Sequence, residues 1–203
     1  MLISFEGIDG SGKGTQAKLF IKYLEEKNIP CIYVREPGVT RVGEAIRELL
    51  LERKNISISP RAELLLFLAS RAQLVSEVIS PALLERKIVV ADRFIDSSVA
   101  YQGVGRNIGV REVEKLNDFA TGGLKPDLTF YIDITVETSI KRKKNFDRIE
   151  SEGYEFLKMV RNAYLDLARK YTDRIVIIDG ERAIGEIHKE IIEIFEKRGG
   201  KHK

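Results

Sequence analysis

Short, nearly unbroken apolar runs alternate along this chain with longer stretches in which apolar residues return every three or four positions. The runs at 2–5, 31–34, 88–91, 128–132 and 175–178 have strand length, and their lack of alternation predicts strands covered on both faces. The periodic stretches predict helices over 15–27, 41–52, 61–86, 111–120, 136–143, 152–170 and 184–197. Ser59-Pro60 is a start signal for the third of these, with Glu63 in its first turn. Strands alternating with helices predict an α/β fold: a five-stranded parallel sheet with helices on both faces and ligands at the carboxyl ends of the strands. No repeat, low-complexity tract or linker interrupts the pattern, so a single domain is expected over 1–203.

Composition narrows the classes without naming a chemistry. Lys and Arg exceed Asp and Glu by 34 to 31, a net charge of +3, too mild to argue for a nucleic-acid partner. Cys31 is the only cysteine, which rules out an intrachain disulfide, and its apolar neighbours predict a buried thiol. No apolar stretch approaches the roughly 20 residues of a membrane span. The first residues enter a strand directly, without the basic-then-apolar order of a signal peptide, and a cytoplasmic protein with no membrane partner is expected.

The first chemistry-bearing stretch follows strand one. Gly7-Ile8-Asp9-Gly10-Ser11-Gly12-Lys13 is G-x-x-x-x-G-K between an apolar strand and a helical run, the context a phosphate-binding loop needs. Its glycines let backbone N–H groups converge on phosphate oxygens, and the helix N-terminus adds a favourable dipole. Lys13 is positioned to reach the terminal phosphates. Gly14 stands where Ser or Thr would ligate Mg²⁺, and Thr15 either contacts phosphate or caps the helix. Asp92, which ends an apolar run and precedes Arg93, is the candidate acidic partner for a Mg²⁺-bound water or for phosphate.

A guanine-reading Asn-Lys-x-Asp string does not occur, which argues against a GTPase switch. Arg35-Glu36-Pro37-Gly38 lies where a substrate would meet the end of strand two. Phe67 and Arg71 are four apart on one helix, so a ring and a planar donor could grip one base. Ser98 and Tyr101, three apart, could line a pocket.

Taken in order, F-E-G-I-D-G-S-G-K, R-E-P-G, F-L-A-S-R, D-R-F, S-S-V-A-Y-Q-G and D-R-I-E resemble the thymidylate kinase family over nearly the whole chain. The resemblance implies a P-loop nucleoside monophosphate kinase fold with a short lid at about 141–151. It also implies transfer of the ATP γ-phosphate to dTMP, giving dTDP in dTTP synthesis, Mg²⁺ dependence, and a homodimer.

Residue by residue, it implies ATP on Gly7 to Thr15, thymine stacked on Phe67 and hydrogen-bonded to Arg71, and the dTMP phosphate on Arg93 and Arg47. Tyr101 would lie under the deoxyribose, where it would crowd a 2′-hydroxyl, and Asp9 near the sugar and the reacting phosphates. Glu36, Pro37, Ser98 and Gln102 complete the dTMP set, with a cis bond expected before Pro37. Phe94 replaces the family's Tyr after Asp-Arg, Val39 a common Gly, and Ser98 an Asn found in some members. Where some members carry a catalytic arginine in the loop, this chain has Gly10. The catalytic charge beside Lys13, Asp9 and Arg93 is therefore expected from Arg142 and Arg148, in or after the basic run Lys141-Arg142-Lys143-Lys144. Two rivals stand beside this: an adenylate kinase, since G-K-G-T-Q resembles that family too, and a non-catalytic nucleotide-binding regulator.

Overall fold

The computed structural model describes residues 1–51, 57–142, 148–149 and 152–199. Five strands, β1 (Leu2–Glu6), β2 (Cys31–Arg35), β3 (Ile88–Asp92), β4 (Leu128–Asp133) and β5 (Ile175–Asp179), form one sheet in the order β2-β3-β1-β4-β5. Every pairing is parallel, as the unbroken apolar runs predict. Each strand runs one residue past its apolar run, onto Glu6, Arg35, Asp92, Asp133 or Asp179. Ladder bonds need only backbone groups, so a charged side chain at the exit does not end a strand. The result is a row of charge along the carboxyl edge of the sheet.

The helices are α1 (Lys13–Glu26), α2 (Arg41–Leu51), α3 (Pro60–Leu74), α4 (Ser80–Leu84), α5 (Ile95–Ser98), α6 (Val110–Thr121), α7 (Val136–Arg142), α8 (Tyr154–Lys170) and α9 (Ile184–Gly199). Ile3, Phe5, Val90, Phe130 and Ile178 pack on one sheet face against Ala17, Phe20 and Leu24 of α1 and Ile187, Ile191 and Phe195 of α9. On the other face Leu2, Val89 and Ala91 meet Leu74 and Ile79, while Tyr131 meets Val160, Tyr164 and Leu167 of α8. Alternate residues of one apolar run thus feed two different cores, which is why the runs do not alternate in polarity.

Three expectations are corrected. The helix expected over 61–86 is interrupted by a π-helical turn at Val75–Ile79 before α4. Pro81 cannot donate to the carbonyl four residues back, so the turn widens there. Cys31 is only half-buried, because β2 is an edge strand. The stretch after β3, which carries no helical periodicity, is nevertheless helical: α5 followed by a π-helical segment, Val99–Gly105. The expected ends at 52 and 143, and most of the expected lid with Lys143, Lys144, Asp147 and Glu150, lie outside the described residues.

The unexpected helical segment is anchored by a buried ion pair. Arg174, just before β5, donates from Nη1 and Nη2 to the two carboxylate oxygens of Asp96, both at 2.7 Å. The Asp96 side chain is 2% exposed. Removing one partner of such a pair strands the other charge away from water, at a cost of about 3–5 kcal/mol. Arg174→Ala should therefore lower the melting temperature by roughly 6–20 °C, at about 2–4 °C per kcal/mol for a chain of this size. Thermal unfolding followed by circular dichroism reads this, and a shift under about 2 °C would show the pair to be dispensable.

Candidate active site

The phosphate loop joins β1 to α1 with its backbone in unusual conformations. Gly7, Gly10 and Gly12 have φ of 147°, 80° and 89°. α1 begins at Lys13 with Gly12 as its N-cap, so Thr15 lies inside the first turn, exposed, and does not cap the helix. That corrects one of its two expected roles and leaves the phosphate contact.

Two glycines that depart from common patterns have direct steric reasons. A Cβ at Gly14 would lie 2.8 Å from Asp92 Oδ2, closer than real Cβ atoms come. The space a Ser or Thr would use at this position is thus occupied by the carboxylate that ends β3. Tyr33 on β2 donates its hydroxyl to the same oxygen at 3.2 Å. At Gly10 the backbone is left-handed, and a Cβ would sit 3.0 Å from Ser139 O and 3.6 Å from the Cβ of Arg142. An arginine side chain begins beside the position where the loop itself carries none.

Asp9 gathers the charges. Lys13 Nζ donates to its Oδ1 at 3.1 Å and Arg93 Nη2 to the same oxygen at 2.9 Å, while Tyr101 Oη donates to Oδ2 at 3.5 Å. Ser139 Oγ donates to the Asp9 carbonyl at 2.5 Å, fastening the loop to α7. Arg93 itself has φ 72°, a left-handed conformation disfavoured for a residue with a Cβ. Its N–H still reaches Phe5 O at 3.0 Å, and the next N–H, of Phe94, donates to Glu6 Oε1 at 2.7 Å. The strained turn is thus held at both ends, and the guanidinium lies 4.9 Å from the centre of the Tyr101 ring.

Glu6 is the site residue the sequence did not single out. It has no exposed surface and accepts hydrogen bonds from Ser4 Oγ, Phe94 N and, at 2.8 Å, Tyr164 Oη. Burial, reinforced by Asp96 and opposed by Arg93, pushes its carboxyl up to about 7. Its signal was present but faint: a carboxylate embedded at the end of a buried strand.

Beside this cluster lies a cavity of about 280 Å³. Asp9, Lys13, Glu36, Pro37, Arg47, Phe67, Asp92, Arg93, Tyr101 and Gln102 line it, together with Arg35, Leu51, Ser97 and Ile149. Phe67 is partly exposed to it rather than sealed in the core. The Glu36-Pro37 bond is cis, and Arg47 Nη1 donates to Pro37 O at 2.9 Å. Val39 adopts φ 75°, the left-handed conformation a glycine at that position would take without strain.

Arg71 and Ser98 lie elsewhere than expected. Ser98 does not line the cavity; its neighbour Ser97 does. Arg71 is 1% exposed and lies behind the wall. Four hydrogen bonds and an ion pair occupy it within the protein. Nε donates to Glu36, Nη1 to Ser98 and Asn117, and Nη2 to Phe94 O, while Nη2 also lies in ion-pair contact with Glu36. Asn117, which the sequence did not mark, completes this set from α6. Glu36 Oε1 has no partner, and burial raises the Glu36 carboxyl above its ordinary range despite Arg71.

The two lid-side arginines point to different places. Arg142 donates from Nη1 to Gly10 O at 3.4 Å and Gly180 O at 3.1 Å, so it stands at the phosphate loop. Arg148 donates to Leu50 O at 2.9 Å and Glu63 Oε2 at 2.6 Å, on the Phe67 side of the cavity.

Comparison with known proteins agrees with this geometry. The family model for thymidylate kinase matches residues 5–191. A thymidylate kinase of Fervidobacterium nodosum is 57% identical over 197 residues, 96% of this chain and 98% of that protein. One of Thermosipho africanus is 55% identical over 97% of this chain and 98% of its own. The crystal structure of thymidylate kinase from Ehrlichia chaffeensis superposes with a TM-score of 0.80 at 35% identity, covering 96% of this chain and 98% of that one. A strand–loop–helix phosphate cradle, a cavity beside it, and likeness along almost the full length agree: the chain belongs to the thymidylate kinase family.

Proposed function

We propose that this chain transfers the γ-phosphoryl group of ATP to the 5′-phosphate of dTMP, giving ADP and dTDP for dTTP synthesis. The observation that carries the reading is the sharing of Asp9 Oδ1 between Lys13, from the phosphate loop, and Arg93, from the cavity wall. The two cations needed by two phosphates are thereby pre-placed on one carboxylate.

The acceptor is a monoester with second pKa of about 6, largely dianionic near pH 7, so it needs no base to become a nucleophile. What limits the reaction is bringing two anions into line, which is a task of positioning and charge cancellation. Lys13 serves the donor phosphates and Arg93, with Arg47 nearby, the acceptor phosphate. Asp9 orients both cations rather than removing a proton. Arg142, at the mouth of the loop, is assigned to the charge that develops between donor and acceptor. Arg148, tied to Glu63 and Leu50, is assigned to holding the acceptor side closed.

Phe67 supplies the stacking face for the base, and Tyr101, held by Arg93 and Asp9, the floor beneath the sugar. A base carbonyl engages Arg71 only in exchange for one of its internal bonds. Glu36, Pro37 and Ser98 frame that wall. Gln102 presents a carboxamide to the base.

Mg²⁺ fits this site as an ion held chiefly by nucleotide phosphates. Among the described residues no group of three or more His, Cys, Asp or Glu converges to cage a metal. Asp92 Oδ2 fills the space left by Gly14 and could hold a metal-bound water there. The ion would neutralise phosphate charge. We also read the chain as one kinase domain acting as a homodimer, supported by the exposed apolar side chains Leu49 on α2 and Leu65 on α3, helices that pack together. Dependence on ATP and dTMP supports a cytoplasmic setting. No described helix is long and apolar enough to cross a membrane.

A coupled assay with ATP-Mg²⁺ and dTMP, dUMP, UMP, CMP, AMP or GMP tests the reading. dTMP should give the highest kcat/KM, and a higher value for AMP, or no turnover with any acceptor, would sink it. Arg142→Ala should lower kcat by about a hundredfold or more, in the range of transition-state arginines, with little change in dTMP affinity. An unchanged kcat would return Arg142 to a solvated surface role. Gly14→Ala forces Asp92 out of place, so we expect kcat to fall about tenfold or more while dTMP still binds by calorimetry; full activity would show that Asp92 contributes nothing to turnover.

A further inference from the structure

Glu63 lies on α3 one turn before Phe67, and its side chain is shut away from solvent at 0% exposure. Four donors converge on its two oxygens. Gln102 Nε2 donates at 2.9 Å, Arg106 through Nε and Nη2 at 3.1 Å each, and Arg148 Nη2 at 2.6 Å. Burial alone would raise this carboxyl, but the bonds from Arg106, Gln102 and Arg148 outweigh it and hold it below its ordinary range. The group is therefore a carboxylate, and a carboxylate only accepts.

Of these donors Gln102 is the one that also lines the cavity. A carboxamide has a donating end and an accepting end. Facing a group that offers only lone pairs, Gln102 must turn its NH₂ to Glu63, so its carbonyl is directed away from that carboxylate. Phe67, the stacking ring, projects from the same helix as Glu63, one turn on, and lines the cavity together with Gln102.

We propose that Glu63 is a specificity-determining positioning residue: by holding Gln102 Nε2 it presents Oε1 to the cavity as an acceptor, selecting a pyrimidine with an N3–H donor against cytosine. The inference rests on the reading that the acceptor base stacks on Phe67. Thymine and uracil carry N3–H; cytosine carries a lone pair at N3, which would face the lone pairs of Oε1. A polar site built for one partner rejects the mismatched one because both groups are left buried and unpaired. Arg106 and Arg148 contribute by keeping Glu63 ionised, since a neutral partner at 63 could accept either end of the amide.

The test is kcat/KM for dTMP and dCMP in the wild type, E63Q, Q102L and the double variant. In E63Q the Gln102 amide is free to reverse, and the dCMP-to-dTMP ratio should rise at least about tenfold. Q102L should also raise the ratio, and adding E63Q to it should change the ratio by less than about twofold. A general loss of fold moves both acceptors together and leaves the ratio still. A ratio in E63Q within about twofold of the wild type overturns the proposal, as does an equal shift on the Q102L background. If E63Q does not fold, E63D keeps the charge on the arginines but withdraws it from Gln102, and the ratio must again move toward dCMP or the proposal falls. The supporting reading fails separately: wild-type protein without dTMP turnover overturns the kinase assignment, and an unaltered ratio in Q102L overturns the base contact alone.

Discussion

The carboxylate of Glu6, buried beneath the carboxyl edge of the sheet, is the interaction on which the rest of the site depends. It accepts from the N–H of Phe94, which fixes the sharp turn at the end of β3, and from the hydroxyl of Tyr164, which brings α8 against the sheet. That turn is what aims Arg93. Tyr164 also stacks on Tyr131 at 4.9 Å between ring centres, so the same carboxylate orders an aromatic layer under the cavity floor. A buried carboxyl group of this kind is costly by itself and is retained where it holds several elements in one arrangement.

Around that anchor the site is organised by carboxylates that hold cations rather than by cations alone. Asp9 keeps Lys13 and Arg93 within reach of each other, Glu36 holds Arg71, Glu63 holds Arg106 and Arg148, and Asp96 holds Arg174. Arginines clustered without these partners would repel one another and sample many rotamers. With them, the groups assigned above to phosphate or base are oriented in advance, and less ordering remains to be done on binding.

Much of this was legible in the sequence, for reasons that differ by element. The five strands stood out because each apolar run is local, and the phosphate loop because its glycines and lysine are contiguous. Phe67, Tyr101 and Asp92 stood out as ring or carboxylate types in an ordered set of short stretches, and all three line the cavity. The burial of Arg71 was not legible: its spacing from Phe67 is local, but its donors are held by Glu36, Ser98, Asn117 and Phe94, contributed by distant segments. The helical turn over Val99–Gly105 escaped notice because its valines and glycines have poor helix propensity, and packing against α6 and α8 overrides that preference.

By itself the sequence determined the alternation of strand and helix, the phosphate loop with its two irregular glycines, and most of the side chains that line the cavity beside it. Those properties are encoded in neighbours a few residues apart, through backbone sterics and hydrophobic period. Only the tertiary structure decided why Gly14 must lack a side chain, which of Arg142 and Arg148 stands at the phosphate loop, and which end of Gln102 meets Glu63. Each of those depends on groups tens of residues apart meeting where water is excluded, and nothing in local sequence specifies which distant carboxylate will be there.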